Sequence, residues 1–175
     1  CARLARVMDG RSVGVVMSGG GARAYSHIGM VKAIREEGIP IDFVGGSSMG
    51  AVIAACVAMG WDDTEIDWRI RKAFVETNPL GDYNLPVVGM VKGLRVNARL
   101  KEHFGESEIG DLDIPFFATS TNLTTGSLHL HRTGLMREAL RATISLPGIL
   151  PPVVEGHDLL VDGAVLNNFP VDVMR

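Results

Sequence analysis

Between residues 12 and 59 the chain twice passes from a short, largely apolar run, through glycines, into a helical pattern. Ser12 to Met17 (SVGVVM) is apolar and stopped by glycines, which predicts a buried strand. Ser18 to Gly21 is then a glycine turn, and Arg23 to Glu37 a helix with Ile28, Val31 and Ile34 at spacings of three. Gly38 caps that helix and Pro40 prevents its resumption. Ile41 to Val44 is a second strand, Gly45-Gly46 turns the chain, and a second helix runs from Ser48 to Met59. Strands alternating with helices pair in parallel through right-handed crossovers. The expected class is α/β, with a central, mostly parallel sheet sandwiched by helices.

The remainder fits this frame. Asp62 to Thr77 reads as a more polar helix, and Asn78 to Gly93, with Pro79, Pro86 and three glycines, as a long irregular segment. Val96 to Phe104 and Leu135 to Ile144 read as helices, Ile114 to Thr121 and Ser127 to His131 as strands. Leu146 to Pro152 (LPGILPP) suits neither helix nor ladder, and Leu159 to Val161 is a last short strand. Hydrophobic residues make up 46% and charged residues 21%, enough to build a core rather than stay disordered. With a net charge of -3 and no Lys/Arg run, nucleic acid is not an expected partner. Cys1 and Cys56 form neither a disulfide framework nor a metal spacing, which suits a reducing compartment. No apolar run reaches the ~18 residues of a membrane span; Ala51 to Met59 is half that length. Because the chain begins at Cys1 and ends at Arg175 in a helix just begun, we read it as part of a longer protein. Residues 1–11 are an N-terminal flank and 12–175 the domain, cut at its C-terminal end, and other domains of the parent chain are expected partners. The expected location is cytoplasmic, with membrane association.

Two glycine segments carry chemistry. Gly46-Ser47-Ser48-Met49-Gly50 matches G-x-S-x-G between a predicted strand and helix. In that nucleophile elbow the glycines permit a tight turn and the serine Oγ stands above the sheet at a helix N-terminus. Ser47 occupies the intervening position and points elsewhere. The second segment, Ser18-Gly19-Gly20-Gly21-Ala22-Arg23-Ala24, opens the first helix, and its backbone N–H groups can converge on an anion. An oxyanion hole is one use. A dinucleotide pyrophosphate site is another, since Gly19-x-Gly21-x-x-Ala24 fits G-x-G-x-x-G/A. That reading needs an acid at the end of the second strand, whereas Asp42 stands at its start.

A serine nucleophile needs a proton acceptor. None of the five histidines follows Asp162, and only two strands precede Ser48, so the Ser–acid–His order of α/β-hydrolases does not fit. A triad through His157 with an acid elsewhere is the alternative. His129 and His131 merely alternate along one strand face, and His27 lies on a helix. Asp162 is the better base: it closes the apolar strand Leu159-Leu160-Val161 and precedes Gly163-Ala164, whose small size lets the loop approach Ser48.

Taken together, these segments resemble the patatin-like phospholipases, in their bacterial and neuropathy-target-esterase branch. The likeness runs from about Arg11 to Met174. It rests on Gly19-Gly20-Gly21-Ala22-Arg23 with Ser26-His27-Ile28-Gly29, on Gly46 to Ala51, on Leu146 to Pro152, and on Val161-Asp162-Gly163-Ala164 through Asn167-Asn168. The resemblance implies a Ser–Asp dyad, with Ser48 as nucleophile, Asp162 as base and Gly163 completing the D-G-G/A motif. It implies an oxyanion hole at Gly19, Gly20, Gly21 and Ala22, with Arg23 as the motif's basic residue, and neither metal nor cofactor for catalysis. Ala24 departs from the family's usual glycine. The implied activity is hydrolysis of acyl esters of phospholipids, lysophospholipids or related lipids through an acyl-enzyme, with peripheral contact at a membrane or micelle surface. A lipid acyltransferase and a catalytically weak lipid-binding or regulatory module are the alternatives. Apolar residues of the Asn78 to Gly93 segment, among them Leu80, Tyr83 and Met90, suggest a lid over the acyl chain.

Overall fold

The computed structural model describes residues 2–76, 80–81 and 91–175. The helix Ala2–Met8 (α1) precedes the strand Gly14–Met17 (β1). A 3-10 turn, Gly21–Tyr25, leads into Ser26–Glu36 (α2), followed by Phe43–Ser47 (β2), Ser48–Ala58 (α3) and Asp63–Ile70 (α4). A π-helical stretch, Arg71–Glu76, prolongs α4. Then come Leu94–Phe104 (α5), Phe116–Asn122 (β3), Ser127–His131 (β4), Met136–Thr143 (α6), Val153–Glu155 (β5), Asp158–Asp162 (β6) and Val171–Met174 (α7).

The helices form for legible reasons. Met136, Ala139, Leu140 and Thr143 make a buried stripe at helical spacing on α6, as do Val96, Leu100, His103 and Phe104 on α5. Every residue of α3 is buried, a helix apolar all round. Its four alanines and one glycine let it lie close against β1, β2 and β3. The principal core gathers around it.

β1 and β3 both pair with β2 in parallel, so the core of the sheet is parallel as expected. Antiparallel strands complete it: β4 and β6 on β3, and β5 on β6. The registers determine what meets what. Ala118 and Thr119 pair with both β2 and β4, while Ser120 to Asn122 pair with both β4 and β6. A strand has only two edges, so β2 and β6 share the one opposite β4. They run toward each other along it. β2 ends with Ser47 opposite Thr119, and β6 ends with Asp162 opposite Ser120. Two distant parts of the sequence are thereby delivered head to head.

The structure adjusts several expectations. Gly45 and Gly46 belong to β2, so the turn narrows to the Ser47–Ser48 junction; the Phe117 ring fills the space over Gly45, where a Cβ would lie 2.4 Å from it. The helix expected from Arg23 begins as the tighter 3-10 turn. β5 is a strand the sequence did not suggest. Nor did it suggest the helix α1, which buries no residue and is held by charge: Arg6 Nε donates to the Asp42 carboxylate at 2.9 Å, and the Val13 N–H donates to it at 3.0 Å. These contacts hold Asp42 well below the usual carboxylate range, at about 2, and leave it fully buried, occupied and unable to hold a ribose. The dinucleotide reading therefore fails. Tyr83 and Met90 of the suggested lid lie outside the described residues.

Candidate active site

At the head-to-head junction Ser48 takes φ +52, the one positive value at a non-glycine among the described residues. Such a backbone costs ~1–3 kcal/mol and persists only where its surroundings enforce it. Three contacts do so here. A Cβ on Gly46 would stand 2.3 Å from the Met17 carbonyl oxygen, and one on Gly50 2.4 Å from the carbonyl oxygens of Met17 and Ser18. Both distances are far inside contact range, so the turn presses backbone to backbone against the end of β1. The Ser48 N–H donates to Thr143 Oγ1 at 2.8 Å, and the Thr143 hydroxyl donates to the Thr119 carbonyl at 2.6 Å. Thr143 is fully buried, so this relay fixes the serine's backbone from α6.

Ser48 Oγ donates to Asp162 Oδ2 at 2.6 Å, with both residues buried. Asp162 Oδ1 accepts from the Ala164 N–H at 2.8 Å, and the Asp162 N–H donates to the Ser145 carbonyl at 3.0 Å. Burial pushes the Asp162 carboxyl above its ordinary value; the Ser48 and Ala164 hydrogen bonds pull partly against it. Gly163 lets its loop pass here, because a Cβ would lie 2.2 Å from the Thr119 carbonyl oxygen. Ser47 Oγ is buried against Gly163 and has no hydrogen-bond partner among the described residues.

No histidine side chain among the described residues is hydrogen-bonded to Ser48 or Asp162. His27 Nε2 lies 3.0 Å from the Ser18 carbonyl. His131 Nε2 lies 2.7 Å from Ser120 Oγ, and burial pushes His131 down to about 4. His157 sits in the exposed turn between β5 and β6.

The glycine loop abuts the serine, since a Cβ on Gly19 would be 2.8 Å from Ser48 Cβ. Gly19 itself is engaged: its N–H donates to the Asn168 carbonyl at 3.2 Å, and Asn168 Nδ2 donates back to the Gly19 carbonyl at 3.4 Å. The 3-10 turn opens at Gly21, so the N–H groups of Gly21 and Ala22 stand at its free end, with no backbone acceptor among the described residues. Arg23 is exposed, and its N–H closes the turn on the Gly20 carbonyl. Ala24, the departure from glycine, is buried in the core without opening the turn.

A cavity of about 940 Å³ opens over Ser48 and Asp162. Its walls are largely apolar, from Phe74, Leu80, Val96, Ile144, Ile149 and Leu150. The LPGILPP segment thus supplies one wall. Sequence reasoning missed Thr143 and Asn168 as supports. A threonine ending an amphipathic helix carries no signal of its own, whereas Asn168 stood in a quoted motif without a role.

The site thus combines a strained strand-to-helix serine, a buried carboxylate hydrogen-bonded to it, and a glycine loop beside it, all opening on one apolar cavity. Residues 15–175 match the patatin-like phospholipase family. The chain is 43% identical over 171 residues to an NTE family protein of Mycobacterium tuberculosis, covering 98% of this chain and 29% of that protein. It is 37% identical over 177 residues to the Lysophospholipase NTE1 of Yarrowia lipolytica, covering 99% of this chain and 12% of that one. The crystal structure of VipD from Legionella pneumophila shares the fold, with a TM-score of 0.68 at 15% identity over 91% of this chain and 47% of VipD. This chain belongs to the patatin-like phospholipase family. It spans 29% and 12% of the lengths of these two sequence relatives.

Proposed function

We propose that this domain hydrolyses acyl esters of lysophospholipids or related phospholipids through a Ser48–Asp162 dyad and an acyl-enzyme. The observation that carries this is the buried 2.6 Å hydrogen bond from Ser48 Oγ to Asp162 at the mouth of a large apolar cavity. Family membership and the lysophospholipase name of the fungal relatives support the lipid class.

Asp162 Oδ2 takes the Ser48 proton as Oγ bonds to the ester carbonyl carbon. The N–H groups of Gly21 and Ala22, with that of Gly20 beside them, receive the developing oxyanion; Gly19 positions the loop through Asn168. Each such donor is typically worth ~10²–10³ in rate. The ester C–O bond then breaks, and the proton on Asp162 passes to the departing alcohol oxygen. Water, deprotonated by Asp162, attacks the acyl-enzyme and releases the fatty acid. The acyl chain lies in the apolar cavity. Raising the Asp162 pKa by burial makes it a stronger base than a free carboxylate while it stays ionised. No described helix is long and apolar enough to cross a membrane. In this reading the domain meets its lipid substrate by peripheral contact with a membrane or micelle surface.

A fluorophosphonate probe tests the dyad, with the modified residue located by mass spectrometry. The expected result is labelling at Ser48, absent in Ser48→Ala and greatly slowed in Asp162→Asn, together with release of fatty acid from lysophosphatidylcholine. Folded wild-type protein that stays unlabelled would overturn the proposal in favour of a lipid-binding module. An acyl group recovered on an added alcohol rather than as free acid would make the domain an acyltransferase.

A further inference from the structure

His129 and His131 read from the sequence as two ordinary histidines on one face of β4. The structure adds Glu155, from the strand that the sequence did not suggest. One ring nitrogen from each histidine and one carboxylate oxygen of Glu155 all lie within 4.8 Å of one another. His129 Nε2 is 3.6 Å from Glu155 Oε2, and the two imidazole centroids are 4.6 Å apart with planes inclined at 52°.

The placement is not adjacency along a strand pair. β4 and β5 are separated by β3 and β6, about 14 Å in a flat sheet at ~4.8 Å per strand. The registers set His129 opposite Ser120, Ser120 opposite Asp162, and Glu155 opposite Asp158. Residues two apart on a strand share a face, so His129, His131 and Glu155 all project from one face of the sheet and converge across it.

We propose that His129, His131 and Glu155 form a binding site for one divalent transition-metal ion of the zinc class. Two imidazoles at i and i+2 on a strand with a carboxylate are a nitrogen-rich donor set, which suits zinc rather than magnesium or calcium, whose preference is for oxygen. Zinc ligands lie ~2.0–2.2 Å from the ion, so the three side chains have to draw in by roughly an ångström. Partly exposed His129 and exposed Glu155 are free to do so. In this proposal buried His131 binds the ion through Nδ1, and Ser120 Oγ, 2.7 Å from Nε2, is the outer-shell hydrogen bond a ligating imidazole needs. Occupancy would tie β4 to β5 across the two strands between them. One of these ends at Asp162, whose cross-strand neighbour is Ser120. The site is a brace beside the dyad and takes no part in the reaction.

Isothermal titration with Zn²⁺, repeated with Co²⁺ while its visible absorption is followed, tests this directly. The expected result is one ion per chain, with affinity reduced at least about tenfold in both Glu155→Gln and His129→Gln. The thermal midpoint should rise with Zn²⁺ in wild type and not in these variants. Ser48→Ala should bind Zn²⁺ as wild type does, which keeps this result separate from the hydrolase reading. Both variants alter partly exposed side chains, so folding is checked easily by circular dichroism. Absence of saturable binding, or binding unchanged in both variants, overturns the proposal.

Discussion

Gly46 and Gly50 flank Ser48 from inside the protein; Gly20 and Gly21 approach it from outside. At the inner pair the missing side chain is a matter of space, since a Cβ would press on carbonyl oxygens of β1 and the loop after it. At the outer pair the described residues leave space. Among them a Cβ on Gly20 would meet nothing closer than 3.5 Å, and one on Gly21 nothing within 4 Å. Gly21 is instead needed for its φ of +54. The elbow is therefore clamped by packing, whereas the loop is hung on tethers: His27 at the Ser18 carbonyl, Asn168 on both polar groups of Gly19, and Arg23 N–H on Gly20. A nucleophile gains from rigidity. In the proposed reaction the loop admits a bulky ester and then closes N–H groups on its oxyanion, and it gains from being held only at its ends.

The largest expected effect lies on the clamped side, in its chemistry. Asp162→Asn should lower kcat/KM for a lysophospholipid by ~10²–10⁴, the range for losing a general base. It should not lower stability at neutral pH. Burial raises the folded-state pKa of Asp162, so folding favours the protonated carboxyl, and wild-type stability declines as pH rises through that value. The amide carries no such penalty. The wild-type rate should fall on acidification with a midpoint above that of an ordinary carboxylate. A limb at or below the ordinary value, or its persistence in Asp162→Asn, would remove Asp162 from the role of base.

Gly50→Ala comes next and tests the packing itself. Two carbonyl oxygens at 2.4 Å admit no Cβ without a backbone shift. The cost should reach about 3 kcal/mol, the upper end of overpacking penalties. Thermal denaturation should show a midpoint lowered by roughly 6–12 °C at the ~2–4 °C per kcal/mol usual for this size. A variant with an unchanged midpoint would mean that the elbow tolerates movement and that the clamp is weaker than the contacts imply.

The same division explains what the sequence made legible. Gly46 to Gly50, the Gly19 loop and Asp162 were readable because backbone demands leave a residue-type imprint: glycine where nothing else fits, an acid at a strand's end. The meeting of β2 and β6 was not, because it depends on two registers against β3, and pairing across about seventy residues in one and about forty in the other leaves no local pattern. β5 was missed because Val153-Val154-Glu155 is too short for alternation to register beside Pro151 and Pro152. α1 was missed because Arg6 and Asp42 hold it rather than a buried apolar stripe. Thr143 stayed silent for a related reason: its value is one hydroxyl placed between the Ser48 N–H and the Thr119 carbonyl.

That hydroxyl supplies the third test. Thr143→Val keeps the shape but leaves a buried N–H and a buried carbonyl without their partner, at about 1–3 kcal/mol each when unmet. The elbow is clamped by glycine contacts as well, so part of this should appear as misplacement of Ser48 rather than unfolding. We expect kcat to fall roughly tenfold with KM little changed, at 1.4 kcal/mol per decade, and Thr143→Ser to restore it. Loss of stability with unaltered kcat in the folded fraction would make Thr143 a core residue only.

The smallest effect should come from Gly21→Ala. The methyl meets nothing among the described residues, and the left-handed φ resists it, at roughly 1–2 kcal/mol for a single residue. The N–H remains in place, so kcat should stay within about tenfold of wild type while the midpoint drops by a few degrees. The informative quantity is the ratio to Gly50→Ala, measured in the same denaturation series. A clearly smaller loss at Gly21 is what a tethered loop requires. Equal losses would mean that the loop is packed as tightly as the elbow, and the N–H groups over Ser48 would then be as fixed as the serine itself.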